Sequence, residues 1–410
     1  MDKTSYGIGL TFFRVFICFI IIKNMCFYLP MADMLFGSHA IFPMQSYMQL
    51  MHGYGLGAFI YPFHLPYAPQ LCVMLTLVAA TCYMLAIGGR WMGLAVFALI
   101  MLLKIRNGFV LDGSDNVIQV SLPLLILADN LRHFRFFEID RPDKPNLMTV
   151  IASVAGVALM IQIAFVYFFT SLAKLQGDLW LNGTAVYYTM RVRDFMATPF
   201  NITLTESHYF VVLSTYFTLL WEMSFPFLVW FRQTKFYILF FGVLLHLGIW
   251  VFMRIDNFSW VMMSSYFIFV TDEEYRSFYQ FIMKRSAIVY IDGWCANCRR
   301  FAAFVNKLNV INLVHVRDIR SLNGSEEELK GVDYTMATMR MATVAGDKVV
   351  YGFSSIMEIV KRLPLLWLLL PIMYILKAVR VGDAVYGELA IKRQIIPIHC
   401  SESCSDKIDK

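Results

Sequence analysis

The chain has 410 residues, of which 59% are hydrophobic, 16% aromatic and only 16% charged, with a mean hydropathy of +0.60. Soluble domains carry ~45–50% apolar residues, so this composition excludes an ordinary soluble protein and points to an integral membrane protein whose first partner is the lipid bilayer. The formal net charge of +6 resides in Lys and Arg placed at the ends of apolar runs, as membrane topology requires, and nucleic acid is excluded as a partner.

A spanning helix needs ~20 mostly apolar residues. About eight stretches are candidates: 7–29, 69–88, 91–110, 115–129, 149–173, 208–231, 236–253 and 256–271. The first, GIGLTFFRVFICFIIIKNMCF, is too long for a signal-peptide core and has no small-residue cleavage site, so it is expected to remain as a helix. The loop 31–67 has no Lys or Arg, whereas LRHFRFFEIDRPDK (131–144), FRQTK (231–235) and the pair at 284–285 are basic. The positive-inside rule then puts the N-terminus and everything after the last span in the cytoplasm of a bacterial-type inner membrane.

Ionisable groups inside such helices are expensive and mark functional sites. Arg14 and Lys174 are long enough to snorkel to the interface. Glu222 stands mid-helix between Trp221 and Met223 and needs a cationic or protonated partner, while His246 reads equally well as a satisfied core histidine. Cys18, Cys26, Cys72 and Cys82 are scattered in apolar segments as small hydrophobes.

After residue 272 the polarity rises. The pattern predicts a strand at 287–291, a dithiol at Cys295 and Cys298, a helix over 298–308 and a strand at 312–316. A hairpin RMATV-AGD-KVVY and a helix from Ser354 follow. Phe301, Phe304, Val305 and Leu308 give the first of these helices one apolar face. The fold class is a polytopic α-helical membrane bundle (1–272) followed by a small α/β thioredoxin-like domain (286–394) and a tail (395–410) that holds Cys400 and Cys404. The segment LPLLWLLLPIMYIL (363–376) is short for a span and contains Pro371, so it is expected either to cover the small domain or to lie along the bilayer surface.

A Cys-x-x-Cys that follows a strand and opens a helix sets its first sulfur where the helix dipole and free amides favour thiolate. Cys295 is therefore the expected attacking sulfur and Cys298 the resolving one, with Asp292 either holding the loop or accepting a thiol proton. The alternative, half of a zinc site, lacks a second Cys or His pair at ligand spacing in this domain, and no metal is expected.

DGWCANCRRF resembles the Asp-Gly-x-Cys-x-x-Cys signature of the DCC family of thiol-disulfide oxidoreductases, and VGDAVYGELAIKRQ resembles that family's closing helix. The resemblance places the family's three naming positions on Asp292, Cys295 and Cys298 and implies a redox-active dithiol. Ala296 stands where proline is usual, and no proline precedes RMATV.

VYFFTSLAKLQGDLWLNGTAVYY (166–188), with Phe13–Arg14, TLLWEMSFPF around Glu222 and LLHLGIWVFMRIDNFSWVMM (244–263), resembles the HTTM family, the membrane domain shared with vitamin K-dependent γ-carboxylase. The resemblance implies Lys174 as a base acting on a reduced, vitamin K-like quinone, with Glu222, His246 and Trp180 about the substrate. Where the carboxylase uses a histidine, RNGFVLDGSDNVIQ offers Asp112 and Asp115, and a carboxyl group such as Asp115 is expected to hold the lysine instead.

Three functions remain open. In the first, a carboxylase-like bundle modifies a lipophilic quinone or a peptide while the dithiol exchanges electrons, although the expected topology sets Lys174 near the outer face and the dithiol inside. The second is maturation or export of an antimicrobial peptide, as in the sporulation-delaying protein B family. In the third, the helices are a non-catalytic anchor for the oxidoreductase.

Overall fold

The computed structural model describes residues 5–38, 40–57, 63, 65, 67–110, 112–131, 147–322, 329 and 331–391. Most of the basic loop 131–144 and the tail with Cys400 and Cys404 lie outside the described residues. The chain forms two compact units, Met1–Tyr275 and Arg276–Lys410.

The first unit is built on α1 (Gly7–Tyr28), α2 (Ala68–Met84), α3 (Gly89–Arg106), α4 (Gly113–Leu127), α5 (Leu147–Lys174), α6 (His208–Leu228), α7 (Arg232–Met253) and α8 (Asp256–Ser265), which runs into a 3-10 turn Tyr266–Phe269. A helix thus occupies each of the eight apolar stretches. Among the described residues, however, only four segments are long and apolar enough to cross a bilayer: Gly7–Phe36, Leu147–Lys174, His208–Leu228 and Arg232–Met253. At 1.5 Å per residue, α2 and α4, with 17 and 15 residues, reach only ~23–26 Å against a ~30 Å hydrocarbon core. α3 carries Arg90, Lys104 and Arg106.

Apolar residues surround most of these helices. One stripe, including Phe13, Ile17, Tyr83, Leu125, Leu159 and Phe225, forms the shared core, while Phe19, Leu213 and Phe240 remain more than half exposed, as helices in lipid require. Arg14 does not snorkel: it is fully buried and donates from Nη1 to the Asn130 carbonyl (2.7 Å) and from Nη2 to that of Met84 (3.3 Å). Arg106 is equally buried, bonded to the carbonyls of Gly37 and Phe42, with its guanidinium 5.0 Å from the Tyr47 ring centroid.

The second unit has β1 (Ala287–Ile291), α10 (Ala296–Leu308, α9 being Asp272–Met283), β2 (Val314–Asp318), α11 (Tyr334–Met339), β3 (Ala342–Ala345), β4 (Lys348–Tyr351), α12 (Phe353–Val360), α13 (Leu370–Ala378) and α14 (Val381–Ile391). The sheet order is β2-β1-β3-β4, with β1 parallel to β2 and the other pairs antiparallel, which is the thioredoxin-like core. The parallel pair needs a crossover, and α10 supplies it, burying Ala302 and Val305 against Val289 and Val314.

β2 starts two residues later than expected because Asn309 Oδ1 accepts the amides of Leu313 and Val314 and Asn312 takes a positive φ of 58°, which holds the approach as a turn. α11, capped by Asp333 through the Met336 amide (3.0 Å), was not expected. The segment after Leu363 is a 3-10 stretch, Pro364–Leu369, leading into α13.

Candidate functional site

Each unit carries one cluster of reactive side chains. In the second unit β1 ends by delivering Asp292, whose side chain is fully buried and accepts from Arg320 twice, Nε to Oδ1 at 2.7 Å and Nη2 to Oδ2 at 3.1 Å. Asp292 Oδ1 also accepts the Trp294 amide at 3.0 Å, and the Arg320 guanidinium lies 4.2 Å from the Trp294 ring centroid. The hydrogen bonds that Arg320 donates to Asp292 hold the guanidinium above its ordinary range, so it stays charged.

Asp318, opposite Ile291 in the β1–β2 register, accepts the amides of Gly293 (2.8 Å) and Arg320 (3.0 Å) through Oδ1. Two carboxylates and one guanidinium thus fix the loop before the dithiol. Of the two roles expected for Asp292, holding the loop is the one its bonds describe. The register explains the Asp-Gly pair, because a Cβ on residue 293 would lie 1.8 Å from Asp318 Oδ2. Gly293→Ala is expected to displace that carboxylate from both amides and destabilise the domain by about 2–4 kcal/mol, at ~1–2 kcal/mol per charge-assisted bond. Denaturant titration of the full chain, followed by thiol labelling of Cys295, checks this.

Cys295 is the N-cap of α10, and its sulfur accepts the Cys298 amide at 3.3 Å. Arg299 Nη1 donates to the Gly293 carbonyl at 3.2 Å and closes the loop from the helix side. Cys295, the expected attacking sulfur, is 2% exposed, whereas Cys298, the expected resolving thiol, is half-buried. The inward turn of Cys295 toward the amide accounts for it. On the same side of the sheet as α10, α14 inserts Tyr386 into the core with Val289, Ala302 and Val305, and its hydroxyl accepts the Met341 amide at 2.9 Å.

In the first unit Lys174, the last residue of α5, forms an ion pair with Glu222 of α6, and Lys174 Nζ lies 4.9 Å from the Trp180 ring centroid. Two helical turns before Lys174, on the same face, Tyr167 shares hydrogen bonds with His246 Nε2 (2.9 Å) and the Tyr266 hydroxyl (2.6 Å). Trp221 packs edge-on against Tyr167 at 4.9 Å and donates from Nε1 to the Ile238 carbonyl at 2.9 Å, pinning α6 to α7. Gly242 permits this close approach, since a Cβ there would lie 2.5 Å from both Trp221 Cζ2 and the Tyr266 hydroxyl.

Lys174, Glu222 and Trp180 therefore meet, and His246 belongs to the adjoining tyrosine network. Asp115 does not join them: with Asp112 it forms a capping box at the start of α4, and it pairs with Lys104 at 3.5 Å. The carboxyl group that holds the lysine is Glu222. A cavity of about 240 Å³ is lined by Ser171, Leu175, Trp180, Tyr216, Leu219 and Met223, of which Trp180 is the residue facing Lys174 Nζ. Among the described residues, Glu222 Oε2 and His246 Nδ1 are buried and make no hydrogen bond.

Residues 117–273 match the family model of the HTTM domain, and residues 289–397 that of the DCC1-like thiol-disulfide oxidoreductase. The chain joins an HTTM domain to a DCC1-like domain. Lys174, Trp180, Glu222 and His246 fall within the HTTM match and Asp292, Cys295 and Cys298 within the DCC1-like match, while Asp115 precedes the first. The chain is also similar to "Uncharacterized protein YitO" of Bacillus subtilis, 28% identical over 171 residues that cover 40% of this chain and 54% of that protein. It thus spans about half the length of that relative. No solved structure matches the chain.

Proposed function

We propose that the chain is a membrane-bound thiol–disulfide oxidoreductase whose HTTM domain takes up a lipophilic ring compound of the quinol class at the Lys174–Glu222 pair. The observation that carries this reading is the ion pair itself, whose lysine faces Trp180, a residue in the wall of an apolar cavity of about 240 Å³. That volume is just below the ~300 Å³ of small-ligand pockets and suits one ring system better than a peptide. The cavity walls fit an aromatic ring, and the lysine, the carboxylate and the unbonded Glu222 Oε2 fit an ionisable hydroxyl.

Charge separation is poorly solvated at this depth, so the Lys174 proton can pass to Glu222 and leave a neutral amine. Lys174 then accepts the hydroxyl proton of the ring compound, and the resulting ammonium pairs with the oxyanion. In the DCC1-like domain the Cys295 thiolate attacks a disulfide and forms a mixed disulfide with release of one thiolate. Cys298 then attacks Cys295, expelling the second partner thiolate and leaving the Cys295–Cys298 disulfide. That exchange passes the two electrons of the dithiol to the partner disulfide, and the two electrons and two protons that restore the dithiol equal those released when a quinol is oxidised to a quinone. That equality supports placing both activities in one chain.

Two measurements on the reconstituted full chain test this. With a dithiol-reactive disulfide probe, Cys298→Ser is expected to accumulate a mixed disulfide through Cys295 and Cys295→Ser to form none; accumulation in Cys295→Ser instead would reverse the sulfur roles. With 2-methyl-1,4-naphthohydroquinone as ligand, Lys174→Met is expected to abolish saturable binding. Unchanged binding in that variant would sink the ring-compound reading and leave the anchor reading standing.

A further inference from the structure

The segment from Leu363 to Ala378 is apolar on two sides, and the small domain uses only one of them. Leu363, Leu366, Leu370 and Met373 close the core against Met357 and Val360. On the opposite side Leu365, Leu368, Ile372, Ile375 and Val379 are between 56% and 87% exposed. A helix that is apolar all round belongs in a large core or in lipid, and one face here is already committed to the domain.

Taken alone, Pro364–Ala378 is too short to be a span, and only together with Val381–Glu388, across a sharp bend, does it pass as one. Pro364–Ala378 is followed by a bend of 92° into Val381–Glu388, and the straight part would reach only ~22 Å at 1.5 Å per residue, short of a ~30 Å hydrocarbon core. Its surroundings are those of an element lying in the plane of a membrane surface. Trp367 and Tyr374, both about half exposed, stand among the aliphatic residues, and Lys361, Lys377 and Arg380 lie at the two ends. Aromatic rings at the headgroup level with cations beyond them is the arrangement that apolar faces use at a bilayer interface.

A soluble partner would have to cover isolated aliphatic side chains ringed by cations, whereas a bilayer offers hydrocarbon beneath anionic phosphates. The same chain also carries four segments long and apolar enough to cross a bilayer, so a lipid surface is always present at high effective concentration.

We propose that the face formed by Leu365, Leu368, Ile372 and Ile375 inserts into the boundary between headgroups and acyl chains, making the DCC1-like domain itself a membrane-surface domain. The interface holds the domain by its α13 side; Lys361 and Lys377 are paired with Glu358 and Asp383, and the exposed Arg380 contacts lipid phosphates. The dithiol thereby gains a fixed orientation to the bilayer, independent of what the HTTM domain binds.

The test uses the full chain in nanodiscs of phosphatidylcholine and phosphatidylglycerol, with a benzophenone side chain introduced at Leu368 and, in a second protein, at Asn306 on the exposed side of α10. After irradiation, mass spectrometry is expected to show lipid adducts at position 368 in several-fold excess over position 306. Adducts at 368 to the chain's own helical domain or to a second copy, or equal lipid labelling at both positions, would overturn the proposal.

Discussion

Replacing Arg320 by alanine is expected to cost the small domain about 3–5 kcal/mol, the loss seen when one partner is removed from a buried ion pair. The Asp292 side chain is fully buried and takes two hydrogen bonds from Arg320, so the variant leaves a carboxylate with only the Trp294 amide as donor. The loop also loses the guanidinium stacked on Trp294. A typical domain has ~5–15 kcal/mol in total, so the loss is large enough to loosen the dithiol loop at ordinary temperature. Asp292→Asn in the Arg320→Ala background removes the stranded charge and is expected to recover part of the loss. Denaturant titrations of the parent and the two variants, followed by labelling of Cys295, measure this. An Arg320→Ala midpoint within ~0.5 kcal/mol of the parent, the scatter of ordinary surface substitutions, would show that the clamp is not what holds the loop.

Glu222→Ala is expected to have the second largest effect. About a quarter of the Lys174 side chain is exposed, and that of Glu222 is 9% exposed, so the cost should be roughly 2–4 kcal/mol, below that of a fully enclosed pair. The informative comparison is the double variant Lys174→Met, Glu222→Leu. Buried pairs replaced by apolar groups of similar volume are often neutral or stabilising, so thermal stability in detergent is expected to return to that of the parent while naphthohydroquinone binding stays absent. Stability and binding recovered together would mean that the pair serves packing alone.

Much of the small domain was legible because its signals are local. AIVYI forms β1 as the strand pattern required, and the Cys-x-x-Cys sits at the start of a one-sided helix. The clamp around it was not legible. Asp318 and Arg320 reach Asp292 and Gly293 only through the parallel register, and a charged VRDIR stretch looks like any strand end. The available signal was the alternation of that strand, which puts Asp318 opposite the end of β1.

In the membrane unit, Glu222 and His246 stood out because ionisable groups are rare in apolar helices, whereas Lys174 and Trp180 stood out through the resemblance to the HTTM family. Tyr167 and Tyr266 did not, since tyrosine in such a helix reads as a ring facing lipid or an interface. Which carboxyl meets Lys174 also depended on packing: Asp112 and Asp115 are consumed by their own helix cap and Lys104, leaving Glu222. A helix lies in each of the eight apolar stretches, but they differ in length. A hydropathy window measures apolarity, and several of these helices stop before they reach spanning length.

The burial of Arg14 bears on how the membrane unit can be assembled. α1 is made before its partners, since the carbonyls that receive its guanidinium belong to Met84, at the end of α2, and Asn130, just past α4. An arginine at mid-bilayer costs ~2.5–3.5 kcal/mol on insertion scales while it lacks such partners. During synthesis α1 therefore carries an unsettled cation until more than a hundred further residues have emerged. The guanidinium then acts as a latch on order: α1 is fully settled only after α2 and α4 have turned their C-terminal ends toward it, so that misplacing either helix leaves the first one strained.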